Sequence, residues 1–197
     1  LDWKELYYPA PSEDENLEYF AKLKKITDLQ RSEPAEILSA SSETGDDDDS
    51  GGGGGGGGAL FLSSGHAAAD VALLLSSSIS GVVNCTGRID DRISSEYRNK
   101  GIELLLVDAE DEEDYPMLEK HLEEVHVFVK DLWRQGKKNV LIHCAAGINR
   151  SGVLVAAIKM RTERLPILDV VSAMRLRRGN LCITNEGFQR EGTPCRQ

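Results

Sequence analysis

The sequence predicts an α/β domain with a central mixed sheet flanked by helices, and three observations carry that expectation. From residue 59 onward, short apolar runs alternate with stretches of helical periodicity. Leu118, Leu122, Val125, Val129 and Leu132 recur at steps of four, three, four and three, one face of an amphipathic helix. Asn139–His143 is an apolar run that leads straight into Cys144 and then into a second apolar helix. Strands alternating with helices in this way require a sheet covered by helices.

Taken in order, Ala59–Leu62 reads as a strand and His66 to Leu75 as a helix. Gly81–Cys85 and Ile102–Val107 read as the second and third strands, before the helix around 118–132. Asn139–His143 is a buried strand and Gly152–Arg161 an apolar helix. Pro166 restarts the chain into a helix over Ile167–Arg178, stopped by Gly179 as a C-cap.

Upstream, the composition changes. Residues 41–58 read SSETGDDDDSGGGGGGGG, an acidic block and eight glycines with no apolar side chain to offset the entropy of ordering. The stretch lacks the flanking strand, helix and Lys or Ser/Thr of a phosphate-binding glycine loop, and is read as a flexible linker. The expected division is therefore an acidic tail and Gly-rich linker over 1–58 and a folded domain over 59–197. The tail holds one short helix near 13–29, opened by a capping box at Ser12 and Glu15.

The whole chain has 197 residues, 23 Lys+Arg against 33 Asp+Glu, and a net charge of -10. Residues 1–58 hold 14 acids and 5 bases (net -9), and 59–197 hold 19 acids and 18 bases (net -1), so the acidity belongs to the tail. This balance speaks against nucleic acid as a partner and against a cationic membrane-binding face. No run approaches the roughly 18 apolar residues of a spanning helix. Cys85, Cys144, Cys182 and Cys195 are scattered without CxxC pairing, which argues against a zinc site or disulfide scaffold. It fits a reducing compartment, the cytoplasm or the nucleus. The chain begins with Leu, suggesting a missing upstream segment, and its start does not read as a signal peptide.

Chemistry concentrates in Val140-Leu-Ile-His-Cys144-Ala-Ala-Gly-Ile-Asn-Arg150-Ser-Gly152. A buried strand, a short loop and a helix start can turn successive N–H groups onto one point, to which the helix adds its positive end. Gly147 permits the unusual dihedrals of such a cradle. Cys144 sits at its base, where the field favours the thiolate. Arg150 lies six residues on, with a planar fork that grips two phosphate oxygens. A cysteine alone would be read as a buried core residue. The pattern His-Cys-x-x-Gly-x-x-Arg-Ser in this context arises by chance in well under about one chain in a thousand.

HCAAGINRSG resembles the signature loop of the cysteine-dependent protein tyrosine phosphatases, and the small domain resembles their dual-specificity branch. ALFLSSGHAAADVALLLSSSISGVVNCT is similar to that family's opening strand, helix and second strand, and MRLRRGN with NEGF to its closing helices. The resemblance covers about residues 59–190. After Phe188 the family's longer helix is replaced by a short end reading GTPCRQ.

The resemblance implies a protein tyrosine phosphatase-like fold and a phosphoprotein phosphatase that needs no cofactor and no metal. Cys144 would be the nucleophile, forming a phosphocysteine. Ala145, Ala146, Gly147, Ile148, Asn149 and Arg150 would bind the phosphate. Ser151 would assist the departing sulfur, or else cap the helix. His143 would shape the thiolate's surroundings from behind, or serve structure alone. Asn185 would brace the signature loop, or mark a turn. The family's general acid is an Asp on a loop some thirty residues before the Cys. Six carboxylates occupy the seven positions after Val107, and aligning Val107–Asp111 with the strand-then-Asp pattern selects Asp111 over Asp108 and Asp114. Arg177 and Arg178 favour the negative end of their helix, or else form a basic rim for a second phosphate. Two other functions stay open: an RNA 5′-phosphatase, because Asn149-Arg-Ser-Gly152 resembles the Asn-Arg-Thr-Gly of RNA triphosphatases, and a phospho-binding scaffold without turnover. The acidic tail is read as a surface for a protein partner.

Overall fold

A computed structural model of the chain describes residues 35–38, 58–137, 139–179 and 182–191. The helix expected near 13–29 lies outside the described residues, as does nearly all of the acidic and glycine-rich stretch.

Five strands form one sheet in the order β1-β2-β5-β3-β4. They are β1 (Ala35–Leu38), β2 (Ala59–Ser64), β3 (Ile79–Asn84), β4 (Glu103–Leu106) and β5 (Asn139–Cys144). The four strands β2 to β5 are parallel and β1 is antiparallel to β2, so the sheet is mixed as expected. Two short helices, α1 (Gly65–Ala68) and α2 (Val71–Ser76), follow β2. The sequence reads this stretch as one helix; Asp70 divides it, its carboxylate capping the Leu73 N–H at 3.0 Å. Helix α3 (Asp91–Asn99) precedes β4, and α4 (Met117–Arg134) precedes β5. Then come α5 (Arg150–Glu163), α6 (Ile167–Arg178) and α7 (Glu186–Glu191).

Strand alternation sends side chains to both faces of the sheet. Leu60, Leu62, Val140, Ile142 and Val83 pack with Val125, Val129, Leu154, Ile158 and Met174 from α4, α5 and α6. Phe61, Leu141 and Val82 face the other way, onto Val71, Leu74, Ile93 and Tyr97. Parallel strands buried on both sides bring their C-terminal ends to one edge, the usual place for an α/β site.

Residues 35–38 fall within the stretch assigned to the tail, yet they form an edge strand, with Ala35 opposite Leu62 and Leu38 opposite Leu60. Residues 39–58 therefore connect two neighbouring strands of a single sheet. β1 also packs against α6.

Candidate active site

β5 ends at Cys144, and α5 begins six residues later at Arg150. The intervening loop folds around the sulfur. Gly147 donates its N–H to Cys144 Sγ at 3.3 Å, and the Ser151 hydroxyl donates to the same sulfur at 3.2 Å. Cys144 is 1% exposed and Ser151 fully buried, so the sulfur lies at the floor of the cradle. Gly147 has φ +70°, and a Cβ there would stand 2.4 Å from the Ser63 carbonyl oxygen. Only glycine can turn its amide inward at that place.

Arg150 is oriented by two main-chain carbonyls, with Nη1 donating to Cys85 O at 3.3 Å and to Ala109 O at 3.1 Å. Its Nε makes no hydrogen bond but faces Asp111 Oδ2 at 3.7 Å, a long ion pair. Asp111 is thus the carboxylate of the 108–114 run that the fold brings to Arg150. Asp108 instead offers its carbonyl to the Tyr115 hydroxyl at 3.1 Å, while its carboxylate lies against Gly87. Lys120 Nζ lies 4.3 Å from the centre of the Tyr115 ring, and the Tyr115 hydroxyl meets His121 Nε2 at 2.7 Å. These contacts anchor the base of the Asp111 loop.

The cradle is also clamped from outside. Asn149 Oδ1 accepts from Thr184 N at 2.8 Å, Thr184 Oγ1 at 3.2 Å and Asn185 N at 3.1 Å. Ile183 N–H donates to Ile148 O at 3.0 Å. Asn185 meets the signature loop through its main chain. Its side chain donates to Asp111 Oδ1 at 3.1 Å and accepts from the Gly187 and Phe188 amides at 3.0 and 3.3 Å. Gly187 fits because a Cβ there would lie 1.7 Å from Glu113 O. The Asn-x-Gly-Phe stretch therefore ties the Asp111 loop, the cradle and α7 together.

Arg178 is buried behind the loop, so it forms no basic rim; Arg177 beside it is exposed. The sequence shows neither this placement nor the clamp by Asn149 and Thr184. The one available signal was spacing: Val170, Met174 and Arg178 lie four apart on the buried stripe of α6.

The surroundings set charge states. Burial pushes the Cys85 thiol well up, and the nearby Cys144 charge raises it further. Burial likewise pushes Cys182 up to about 11. Both neighbouring thiols stay protonated at neutral pH. His143 is 5% exposed. Burial lowers it from 6.5 to about 4, Arg150 adding to the shift, and its Nδ1 lies 3.4 Å from Cys144 O.

That depression has a sign. The unfolded chain takes up the His143 proton below 6.5 and the folded chain resists until about 4. Stability is therefore present above this window and is lost as pH falls through it, by about 3 kcal/mol in full. Denaturant unfolding of wild type and His143→Gln at pH 7 and pH 4 checks this: the two should converge in stability as pH falls. Parallel pH dependences would contradict it.

Comparison with known proteins follows the same lines. The family model described as dual specificity phosphatase, catalytic domain, matches residues 60–191. Dual specificity protein phosphatase 13B of Mus musculus is 31% identical over 124 residues, 62% of this chain and 61% of that protein. Dual specificity protein phosphatase 26 of Bos taurus is 33% identical over 95 residues, 48% of this chain and 44% of that protein. The chain thus spans about half to three fifths of the length of these relatives. Among solved structures, DUSP15 superposes with a TM-score of 0.59 at 26% identity, covering 68% of this chain and 80% of that one. Human DUSP28 shares the fold, with a TM-score of 0.58 at 23% identity, covering 68% and 84%.

Proposed function

We infer, for a chain that belongs to the dual specificity phosphatase family, that its site hydrolyses phosphotyrosine and phosphoserine/threonine monoesters through a phosphocysteine. The observation that carries this is the convergence of Gly147 N–H and the Ser151 hydroxyl on one buried sulfur, beside an Arg150–Asp111 pair.

In the first step Cys144 Sγ attacks phosphorus, the bond to the ester oxygen breaks, and protonated Asp111 gives that oxygen its proton. Loop amides and the Arg150 fork take the charge that grows on the equatorial oxygens. Water then attacks the phosphocysteine, passing a proton to the Asp111 carboxylate. The P–S bond breaks, inorganic phosphate leaves, and the Ser151 hydroxyl steadies the departing thiolate.

Protein substrates are favoured over RNA because the mouth offers a polyanion no cation beyond Arg150 in the loop itself. Ala145, Ala146, Ile148 and Asn149 are neutral, and Asp108 and Glu110 to Asp114 are exposed on the facing loop. No helix among the described residues is long and apolar enough to cross a membrane. Placement in the cytoplasm or nucleus, and a protein partner for the acidic tail, belong to this same proposal.

Phosphate release from a phosphotyrosine peptide, a phosphothreonine peptide and 5′-triphosphate RNA tests it. Both peptides should turn over, and the RNA at least about tenfold more slowly in kcat/KM at physiological salt. Preferred hydrolysis of RNA would replace the protein reading. Binding of all three without phosphate release would establish a scaffold.

A further inference from the structure

We propose that Arg178 is a positioning residue of the phosphate cradle, its buried guanidinium lodged against Gly147. The proposal rests on the reading of Cys144 as a phosphatase nucleophile.

The last turns of α6 invert the usual arrangement. Leu176 is 88% exposed while Arg178 is 4% exposed. Helix packing alone would place the leucine inside, because an ion taken out of water is costly without compensating charge or acceptors. Arg178 instead follows Val170 and Met174 into the protein, where those two join the main apolar cluster. Its Nη2 lies 2.7 Å from the point a Gly147 Cβ would occupy.

The Ser63 carbonyl and the Arg178 guanidinium thus both close off the side of Gly147 on which a Cβ would stand, and its own N–H points at Cys144 Sγ. Gly147 is thus the residue shared by the two contacts, with Arg178 at its Cβ side and Cys144 Sγ at its N–H. Burial lowers the Arg178 guanidinium from its ordinary value, and the nearby Cys182 and Cys144 oppose that shift.

Arg175, one turn earlier, donates Nε to Cys182 O at 3.2 Å and Nη2 to Ile183 O at 3.4 Å. That segment is the one whose Ile183, Thr184 and Asn185 amides clamp Ile148 and Asn149. The end of α6 thus supports the cradle on two sides, Arg178 from behind Gly147 and Arg175 through the outer clamp. Arg150 reaches the phosphate from the mouth, and Arg178 adds a fixed charge behind the loop.

The test compares wild type with Arg178→Met and Arg178→Lys by iodoacetate alkylation of Cys144 across pH, with and without vanadate, and by turnover of an aryl phosphate. Vanadate-protected alkylation in the wild type establishes the nucleophile; its absence sinks the phosphatase reading itself. Given that protection, Arg178→Met should raise the alkylation midpoint by about one unit. It should also lower kcat/KM by roughly 10- to 100-fold and weaken vanadate binding about tenfold. Arg178→Lys should keep the midpoint within a few tenths of wild type while losing part of kcat, because the charge survives and the planar fork does not. A Met variant that titrates and turns over like wild type overturns the inference. If Arg178→Met does not fold, Arg178→Gln makes the same comparison. If neither neutral variant folds, vanadate added to the wild type should shift the Arg178 guanidinium resonances and leave those of Arg161 in place, and the reverse result overturns the inference.

Discussion

Replacing Cys144 with serine should lower turnover of any phosphomonoester by at least about 10⁴-fold while leaving phosphate or vanadate binding within a few-fold of wild type. The substitution exchanges one atom at the floor of the cradle. A serine hydroxyl can still accept from Gly147 N–H and Ser151, the two donors on the sulfur, so the loop keeps its shape. It does not ionise near neutral pH. His143 stays neutral but is buried, with its Nδ1 at the Cys144 carbonyl. The other nearby thiols cannot substitute, because burial keeps Cys85 and Cys182 protonated. Phosphate release over hours, together with trapping of phosphoenzyme by rapid acid quench, measures the effect. Retention of more than about one part in a hundred of kcat would show that the sulfur is not the nucleophile.

The second large effect belongs to Asp111. Asp111→Asn should reduce kcat on a phosphothreonine peptide by about 10²- to 10³-fold, the range of general acid catalysis. Asn is a clean probe: its carbonyl oxygen can still accept from Asn185 Nδ2, as Asp111 Oδ1 does at 3.1 Å. The ion pair it loses to Arg150 is 3.7 Å long and only partly shielded, hence worth little in stability. An aryl phosphate whose leaving group needs no proton should lose far less. Asp108→Asn and Asp114→Asn should stay within a few-fold of wild type, because neither carboxylate faces Arg150. Equal losses at the three positions would remove Asp111 from its role.

The sequence was most legible where interactions are local. Helix α6 runs over Ile167–Arg178 as read, because Pro166 and Gly179 punctuate it on both sides. The run from β5 through the loop into α5 was legible because strand, glycine turn and helix start follow one another without interruption. Helix α3 was not, since DRISSEYRN offers only Ile93 and Tyr97 as a buried face. Strand β1 was hidden for a different reason: four residues pair across a gap of 20 whose composition reads as a break between bodies. The supports of the site were equally non-local. Asn149 meets Thr184, Arg150 meets Cys85 and Ala109, and Arg178 meets Gly147 only after the chain has folded back. Arg178 was read from its charge as a helix-end or rim cation, although it continues the four-residue step of Val170 and Met174 into the buried stripe of α6.

The register of β1 on β2 fixes the points at which the chain's acidic segments attach to the sheet. Cys144 pairs with Ser64, whereas Leu38 and Ala59 sit at the opposite end of their strands, where Leu60 pairs with Val140. Four residues of strand, about 13 Å, separate the two ends, which exceeds the screening length of about 8 Å at physiological salt. The insert of residues 39–58 carries five acids and no base and is rooted at the remote pole, whereas residues 1–34, with eight acids and five bases, join at the catalytic one. The attachment points of the most acidic stretch, Leu38 and Ala59, therefore lie at the end of the sheet remote from Cys144.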